Sequence, residues 1–429
     1  MCTHLLRGVF CYNCGMRYYI ALSLAVTIFT VPWLATTFPE TADRLAMIIH
    51  NVSEQVAAVI VHNPRTIVGL QQKYAASNQG APKIRILLVP GHEPAYGGAE
   101  YGSLKERTMT VDLAEQLGTF LSANPRYQVV VARDGQAWNP VFTDYFKNQW
   151  DTIISWQKNH QQESLRNVAS AQLPAPKVYH NKAPNDVAYR LYGMTKWSNE
   201  NTIDIAIHIH FNDYPGHPYL TPGKYSGFAI YSPEKQYANS TTTRAVAEAI
   251  FKRLGKYNPV SDFPGESEGI VDERELIAVG ANDTADAASL LIEYGYIYEP
   301  QFTNRDAYQM AVKDLAFQTY LGLEDFFNPG KQTSLAAVYD TLVLPYTWKT
   351  VPSETSGVGD AYALQTALLA DGLYPPASRS KNDCPRTGKI GPCTKASLES
   401  FQKKYGVDEK GIGEKTLREL NRRYSGGVL

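Results

Sequence analysis

Two spacings of apolar residues alternate along the chain. Short, nearly continuous apolar runs read as buried strands: Ile84 to Val89, Gln128 to Ala132, Thr202 to His210, Gly227 to Ser232 and Ser289 to Glu293. Longer stretches in which apolar residues return every three or four positions read as helices: Leu104 to Leu121, Thr242 to Leu254 and Ala307 to Phe327. Strands interleaved with helices predict an α/β fold, with a mainly parallel twisted sheet and helices on both of its faces.

The flanking segments follow other patterns. Residues 41–82 predict a helical stalk, with Leu45, Ile48, Ile49, Val52, Val56 and Ile60 at helical steps until Asn78-Gln79-Gly80-Ala81-Pro82 breaks the pattern. Before the stalk, Tyr18 to Thr37 is an uncharged run of 20 residues, long enough to span a bilayer as a helix. Arg7 and Arg17 precede this run, which orients the N-terminus toward the cytoplasm and the rest outward. Residues 1–40 therefore read as a short tail and a membrane anchor or cleaved signal segment, with Met1 or Met16 as the start. Within the α/β region of residues 83–328, residues 135–185 interrupt the rhythm. They are rich in Trp, Asn, Gln and Tyr, with few long apolar stretches, and read as an inserted wall or lid without a core of its own. Residues 329–356 read as a linker, and 357–426 as a small unit of about three helices with an internal half-repeat: Gly388-Gly391-Thr394 is echoed by Gly411-Gly413-Thr416.

At 429 residues, two or three domains are expected. The composition, 44% hydrophobic and 19% charged, suits a globular protein with a sizeable core. A net charge of -1 excludes a strongly basic nucleic-acid binder. The five cysteines form two groups. Cys11 and Cys14 make a C-x-x-C with no second pair to complete a zinc site. Cys384 and Cys393 bracket a turn-rich loop that a disulfide could close in an oxidising compartment.

Chemistry collects where the predicted strands end. Pro90-Gly91-His92 follows the first strand directly, at the sheet edge where open α/β folds place their sites. Glu106, fourteen residues on, opens a predicted helix. His208 and His210 are two apart on one strand, so both imidazoles share a face, an arrangement suited to metal. Leu290-Leu291-Ile292-Glu293 ends an apolar run in a carboxylate suited to general-base work.

These residues resemble the zinc-dependent N-acetylmuramoyl-L-alanine amidases. The resemblance lies in Val89-Pro90-Gly91-His92, in Glu106 with Arg107 to Ala114, in the helix from Arg190 to Asn201, and in the strand from His208 to Asn212. Gly227 to Tyr231 and Ile292-Glu293-Tyr294-Gly295-Tyr296-Ile297 extend it. It implies Zn²⁺ held by His92, Glu106 and His210, Glu293 as the catalytic carboxylate, and cleavage between N-acetylmuramic acid and L-alanine in peptidoglycan. Three positions depart from the pattern: Pro90 replaces an Asp, Glu93 stands where a Gly is common, and His208 replaces a Ser. His208 then becomes a hydrogen-bond donor behind the ligands or a transition-state partner. Residues 357–426 resemble the small peptidoglycan-binding domain of cell-wall hydrolases, through Leu364-Gln365, Gly372-Leu373-Tyr374, Phe401-Gln402 and the two Gly/Thr loops. The expected whole is an extracytoplasmic cell-wall amidase, anchored or secreted. An inactive wall-binding protein and a zinc peptidase cutting elsewhere in the stem peptide are the alternatives.

Overall fold

The computed structural model describes residues 65–171, 184–214, 216–218, 220–330 and 339–426. The run Tyr18 to Thr37 and most of the expected stalk lie outside them. Among the described residues, no helix is long and apolar enough to cross a membrane.

The described chain opens with α1 (Ile67–Ala76), whose N-cap Thr66 accepts a hydrogen bond from the Gly69 N–H. Then come β1 (Ile84–Pro90), a small hairpin of β2 (Glu100–Tyr101) and β3 (Leu104–Lys105), α2 (Glu106–Ala123) and β4 (Tyr127–Val131). Two helices follow, α3 (Pro140–Ala171) and α4 (Asn185–Glu200), and after them β5 (Ile205–Asn212), β6 (Ala229–Pro233) and α5 (Ser240–Tyr257). The fold continues with β7 (Ile270–Glu273), β8 (Ala288–Tyr296), a single turn α6 (Pro300–Thr303) and the long α7 (Arg305–Phe327). The six longer strands form one sheet in the order β4-β1-β5-β8-β6-β7. β4, β1, β5 and β8 pair in parallel, whereas β6 runs antiparallel to β8 and carries β7 parallel to itself. The sheet is therefore mostly parallel, as the alternation of elements predicts. The third strand starts later than expected, because Thr202 takes a left-handed turn with φ 50° before the chain straightens.

Side-chain alternation divides the sheet into two faces. On one face, Ile84, Ile86 and Leu88 join Ile205, Ile207 and Ile209, Leu290 and Ile292 in a large buried cluster with α2, α5 and α7. On the other face, Leu87, Val89 and Ala206 pack with Phe142, Phe146, Ile153, Tyr192 and Trp197 of α3 and α4. The segment read as coreless thus supplies one side of a core. Phe142, Phe146 and Ile153 of α3 are all buried, stepping along one side of a continuous helix.

The C-terminal stretch is folded onto this body. Val343, Leu344 and Trp348, in the stretch read as linker, are buried in the large cluster. Beyond them α8 (Val358–Ala370), α9 (Pro392–Tyr405) and α10 (Glu414–Tyr424) form the three expected helices, and Cys384 and Cys393 form the expected disulfide. Arg386, inside the disulfide loop, is buried against the body. It donates to Tyr257 O at 3.0 Å, to Asn258 Oδ1 at 3.0 Å and to Thr366 Oγ1 at 2.9 Å, and lies 3.8 Å from the buried Asp314. Its guanidinium sits over the rings of Tyr257 and Tyr362, 5.4 and 4.8 Å from their centroids. Removing it would leave three acceptors and two ring faces without their cation and take the nearby positive charge from Asp314, whose Oδ1 still accepts from Thr341 and Leu342, so Arg386→Ala is expected to cost about 3 kcal/mol of folding stability. Denaturant unfolding of the variant beside the wild type measures this; equal midpoints would mean that the loop is not a structural anchor.

Candidate metal centre

Glu106 is the first residue of α2 and is buried. A buried carboxylate needs partners, and the chain supplies four. His210 Nδ1 lies 3.1 Å and His92 Nε2 2.8 Å from the same oxygen, Oε1, and Phe211 N–H donates to it at 3.2 Å. Ala99 N–H donates to Oε2 at 2.8 Å. Burial alone would raise the pKa of this group. The contacts with His210 and His92 outweigh burial and hold the carboxylate well below the usual range. The His210 imidazole is held below its ordinary value by burial, against the pull of Glu106.

Local backbone geometry delivers these side chains. His210 points to the α3/α4 face because it shares the parity of Ala206 on β5. Its ring lies against Gly91, where a Cβ would stand 2.4 Å from Cε1 of His210. His92 leaves β1 with φ 69°, a left-handed turn that a residue with a Cβ adopts only when its surroundings hold it there. Arg133, just past β4, does much of the holding. Its buried guanidinium donates to Pro90 O at 3.2 Å, to Gly91 O, and to Arg107 O at 2.9 Å, tying the end of β1 to the first turn of α2. Burial lowers its pKa to about 10, against the opposing pull of Glu93, Asp134 and Glu106. Nothing in the sequence distinguishes this arginine from a surface residue following a strand.

The residues read from the sequence are thus brought together. Ligand-type atoms of His92, Glu106 and His210 all lie within 4.8 Å of one another. His92 Nε2 is buried and, despite its closeness to Glu106, has no hydrogen bond of acceptable geometry. A ring nitrogen and a carboxylate oxygen converging without a hydrogen bond are what a shared cation would satisfy. Two imidazoles and one carboxylate form a donor set suited to zinc, with room for a fourth position. Glu293 sits opposite His210 in the β5–β8 register, on the same face. Its Oε2 is buried with no partner, and burial, reinforced by the charges of Glu106 and Glu266, pushes its pKa well up. Glu266, which sequence reasoning missed, is a buried carboxylate fully engaged by Asn212, Tyr231, Ser261 and Tyr296. It has no apolar run or motif around it to flag it.

His208 lies on the same face as His210 but makes no hydrogen bond to His210 or Glu106 among the described residues. It lines a cavity beside them. Burial, with a smaller push from His210, takes its pKa down to about 3, so the ring stays neutral. Of the insertion, Trp138 reaches this cavity and donates to Glu93 Oε2 at 3.2 Å. Among the described residues of the insertion, Trp138 is the one that lines this cavity, while α3 packs against α4.

Comparison with known proteins agrees with the motifs. A family model described as N-acetylmuramoyl-L-alanine amidase matches residues 86–323. Among solved structures, the chain is similar to the N-acetylmuramyl-L-alanine amidase Ami1 from Mycobacterium smegmatis, at 15% identity over 57% of this chain and 96% of that one, TM-score 0.38. It is similar also to the CwlD amidase from Clostridioides difficile, solved in complex with the GerS lipoprotein, at 14% identity over 57% and 98%, TM-score 0.38. A third is the amidase AmiC2 of Nostoc punctiforme, at 15% identity over 56% and 97%, TM-score 0.33. No curated protein sequence matches the chain.

The contact between Gly91 and His210 can be tested directly. Gly91→Ala places a methyl group where the His210 ring now stands. Zn²⁺ affinity is expected to fall about 10- to 100-fold, as for other changes that misorient a ligand, while the metal-free protein stays folded. Competition with a chromogenic chelator measures the affinity, and an unchanged value would separate His210 from the metal.

Proposed function

The chain belongs to the N-acetylmuramoyl-L-alanine amidase family, and on that premise we propose that it is a zinc-dependent hydrolase of the amide between N-acetylmuramic acid and L-alanine in peptidoglycan. The observation that carries this reading is the convergence of His92 Nε2 and His210 Nδ1 on one oxygen of Glu106, with the unpartnered Glu293 Oε2 on the same face. His92, Glu106 and His210 would hold the ion. Bound there, zinc would polarise the scissile carbonyl and make a water a better nucleophile.

The chain's own groups do the rest. Glu293 Oε2 takes a proton from the attacking water and hands it to the leaving amine of L-alanine as the C–N bond breaks, leaving a carboxylate on the lactyl group. Arg133 keeps the His92 turn fixed to α2, so the ligands need little reorganisation to receive the ion. The Cys384–Cys393 disulfide supports an oxidising, extracytoplasmic setting, in accord with a cell-wall substrate. We further assign residues 357–426 to wall binding, on the Gly/Thr loops and their three-helix arrangement, and Tyr18 to Thr37 to anchoring or export, on its length and lack of charge.

Protein lacking residues 1–40 is expected to bind one zinc per chain, and Glu293→Gln to retain it while hydrolysing peptidoglycan about 10²- to 10⁴-fold more slowly. Mass analysis of digested peptidoglycan reads the bond cut. Release of intact stem peptides beginning with L-alanine supports the amidase. Fragments cut within the peptide would indicate a peptidase, and no fragments at all an inactive wall-binding protein.

A further inference from the structure

The cavity beside the ligand cluster has a volume of about 560 Å³, and His92 and His210 line one side of it. Much of the remaining wall is apolar, with Leu191 and Met194 from α4, Leu276 and Ile277 from the turn before β8, and Leu291 from β8 itself. Two carboxylates interrupt that surface, Glu93 and Glu275.

Their surroundings differ. Glu93 is buried and engaged: it accepts from Arg190 Nε at 2.8 Å and from Trp138 Nε1 at 3.2 Å, and Arg190 also pairs with Asp186 at 2.5 Å. Glu275 follows the end of β7 by two residues and is half-buried. Its backbone N–H is fixed, donating to Glu273 Oε1 at 2.7 Å. Its carboxylate meets neither a hydrogen-bond donor nor a cation among the described residues. The one arginine in the wall is already taken by Glu93 and Asp186. An unanswered carboxylate in an otherwise apolar cavity is a partner for a cation that arrives with a ligand.

A ligand that suits this wall is apolar along its length and cationic at its tip. The two sides of the scissile amide differ in that respect. The muramoyl side carries sugar rings, whose hydroxyls an apolar wall would leave without partners. The amine side carries the stem peptide, in which a diamino residue lies beyond the L-alanine. The side chain of that residue is a run of methylenes ending in an ammonium, and its backbone can stay at the mouth of the cavity, in water.

We propose that Glu275 binds the side-chain ammonium of the stem peptide's diamino residue, with the methylenes laid along the apolar wall, so that the protein selects stems whose amine is free over stems in which a cross-link has acylated it. Acylation turns the ammonium into a neutral amide and removes the charge that Glu275 would pair with. The placement of the stem rests on the amidase reading above; the cation site rests on Glu275 and the wall around it.

The test uses zinc-loaded chains carrying Glu293→Gln, so that turnover does not intrude. They are titrated calorimetrically with N-acetylmuramoyl-L-alanyl-D-isoglutaminyl-L-lysine, with its Nε-acetyl form and with the counterpart in which norleucine replaces lysine. The lysine form is expected to bind about tenfold more tightly than the other two, the weak end for a charged hydrogen bond because Glu275 is only half-buried. Adding Glu275→Gln should abolish that preference, and adding Glu275→Lys should reverse it, with zinc content and thermal unfolding as in the parent. The comparison of the three ligands on the parent needs no change at Glu275, so a poorly folding variant does not decide the matter. Equal binding of the three by the parent overturns the proposal, as does binding of none, or a lysine preference that survives both variants. A protein that releases stem peptides from peptidoglycan yet binds the three forms equally loses the ammonium site alone. One that prefers the lysine form but leaves peptidoglycan uncut loses the amidase reading and keeps the site.

Discussion

A single buried carboxylate sets the arrangement of the sheet's working edge. Glu106 is held ionised by the two imidazoles beside it and accepts from Phe211 and Ala99, and an ionised group out of water is tolerated only when its oxygens are engaged. Several otherwise odd features follow from that demand. The chain between β1 and α2 doubles back so that Ala99 can bond to Glu106 through both its N–H and its carbonyl. His92 accepts a left-handed backbone, and Gly91 gives up a side chain to make room for the His210 ring. Arg133 is buried to fasten Pro90, Gly91 and Arg107 together. Its positive charge also lies in the field of Glu106 and Glu93, which offsets part of the cost of burying it.

What could be read in the sequence was what strand and helix periodicity encode directly. The parity of His208 and His210 on β5, the glutamate at the end of an apolar run and the alternation of strands with helices all follow from spacing, whereas the register that sets Glu293 beside His210 does not. Other features were hidden for physical reasons. The helix α3 is so rich in amides and aromatic rings that its composition resembles a loop, although Phe142 and Phe146 stand one helical turn apart on its buried side. β7 is four residues long at the sheet's edge, too short for a period to register. Arg133 and Glu266 work through contacts with residues far along the chain, and no local pattern reports such contacts.

The C-terminal helices show how a small module can be packed against a larger body. The connecting stretch contributes Val343, Leu344 and Trp348 to the same buried cluster as the sheet. Arg386 sits where the two parts meet, its guanidinium between the Tyr257 and Tyr362 rings and its donors directed at both sides. The disulfide closes the short loop that carries it, and so limits the states that loop must give up on docking. A surface that binds glycan through such a module would be held at a fixed place relative to Glu106 rather than swinging about it.

The cluster of His92, Glu106 and His210 adjoins the cavity along β5 and β8, and this couples their chemistry. Along β5, Ala206, His208 and His210 point to the same face, so that within a few residues the surface passes from apolar contact to a neutral imidazole to one engaged by a carboxylate. Residues two apart on a strand are separated by about 6.6 Å. The change from largely apolar contact to ionised groups therefore takes place within one side-chain step along the strand. On β8 the same step runs from Leu291, in the cavity wall, to Glu293. A ligand bridging both regions would keep water from the apolar end while presenting its polar end to the ionic one. Excluding water there strengthens each electrostatic contact at Glu106. His208 fits the middle of that gradient: a serine would leave a smaller wall, whereas a neutral imidazole fills space without bringing a charge into the cavity.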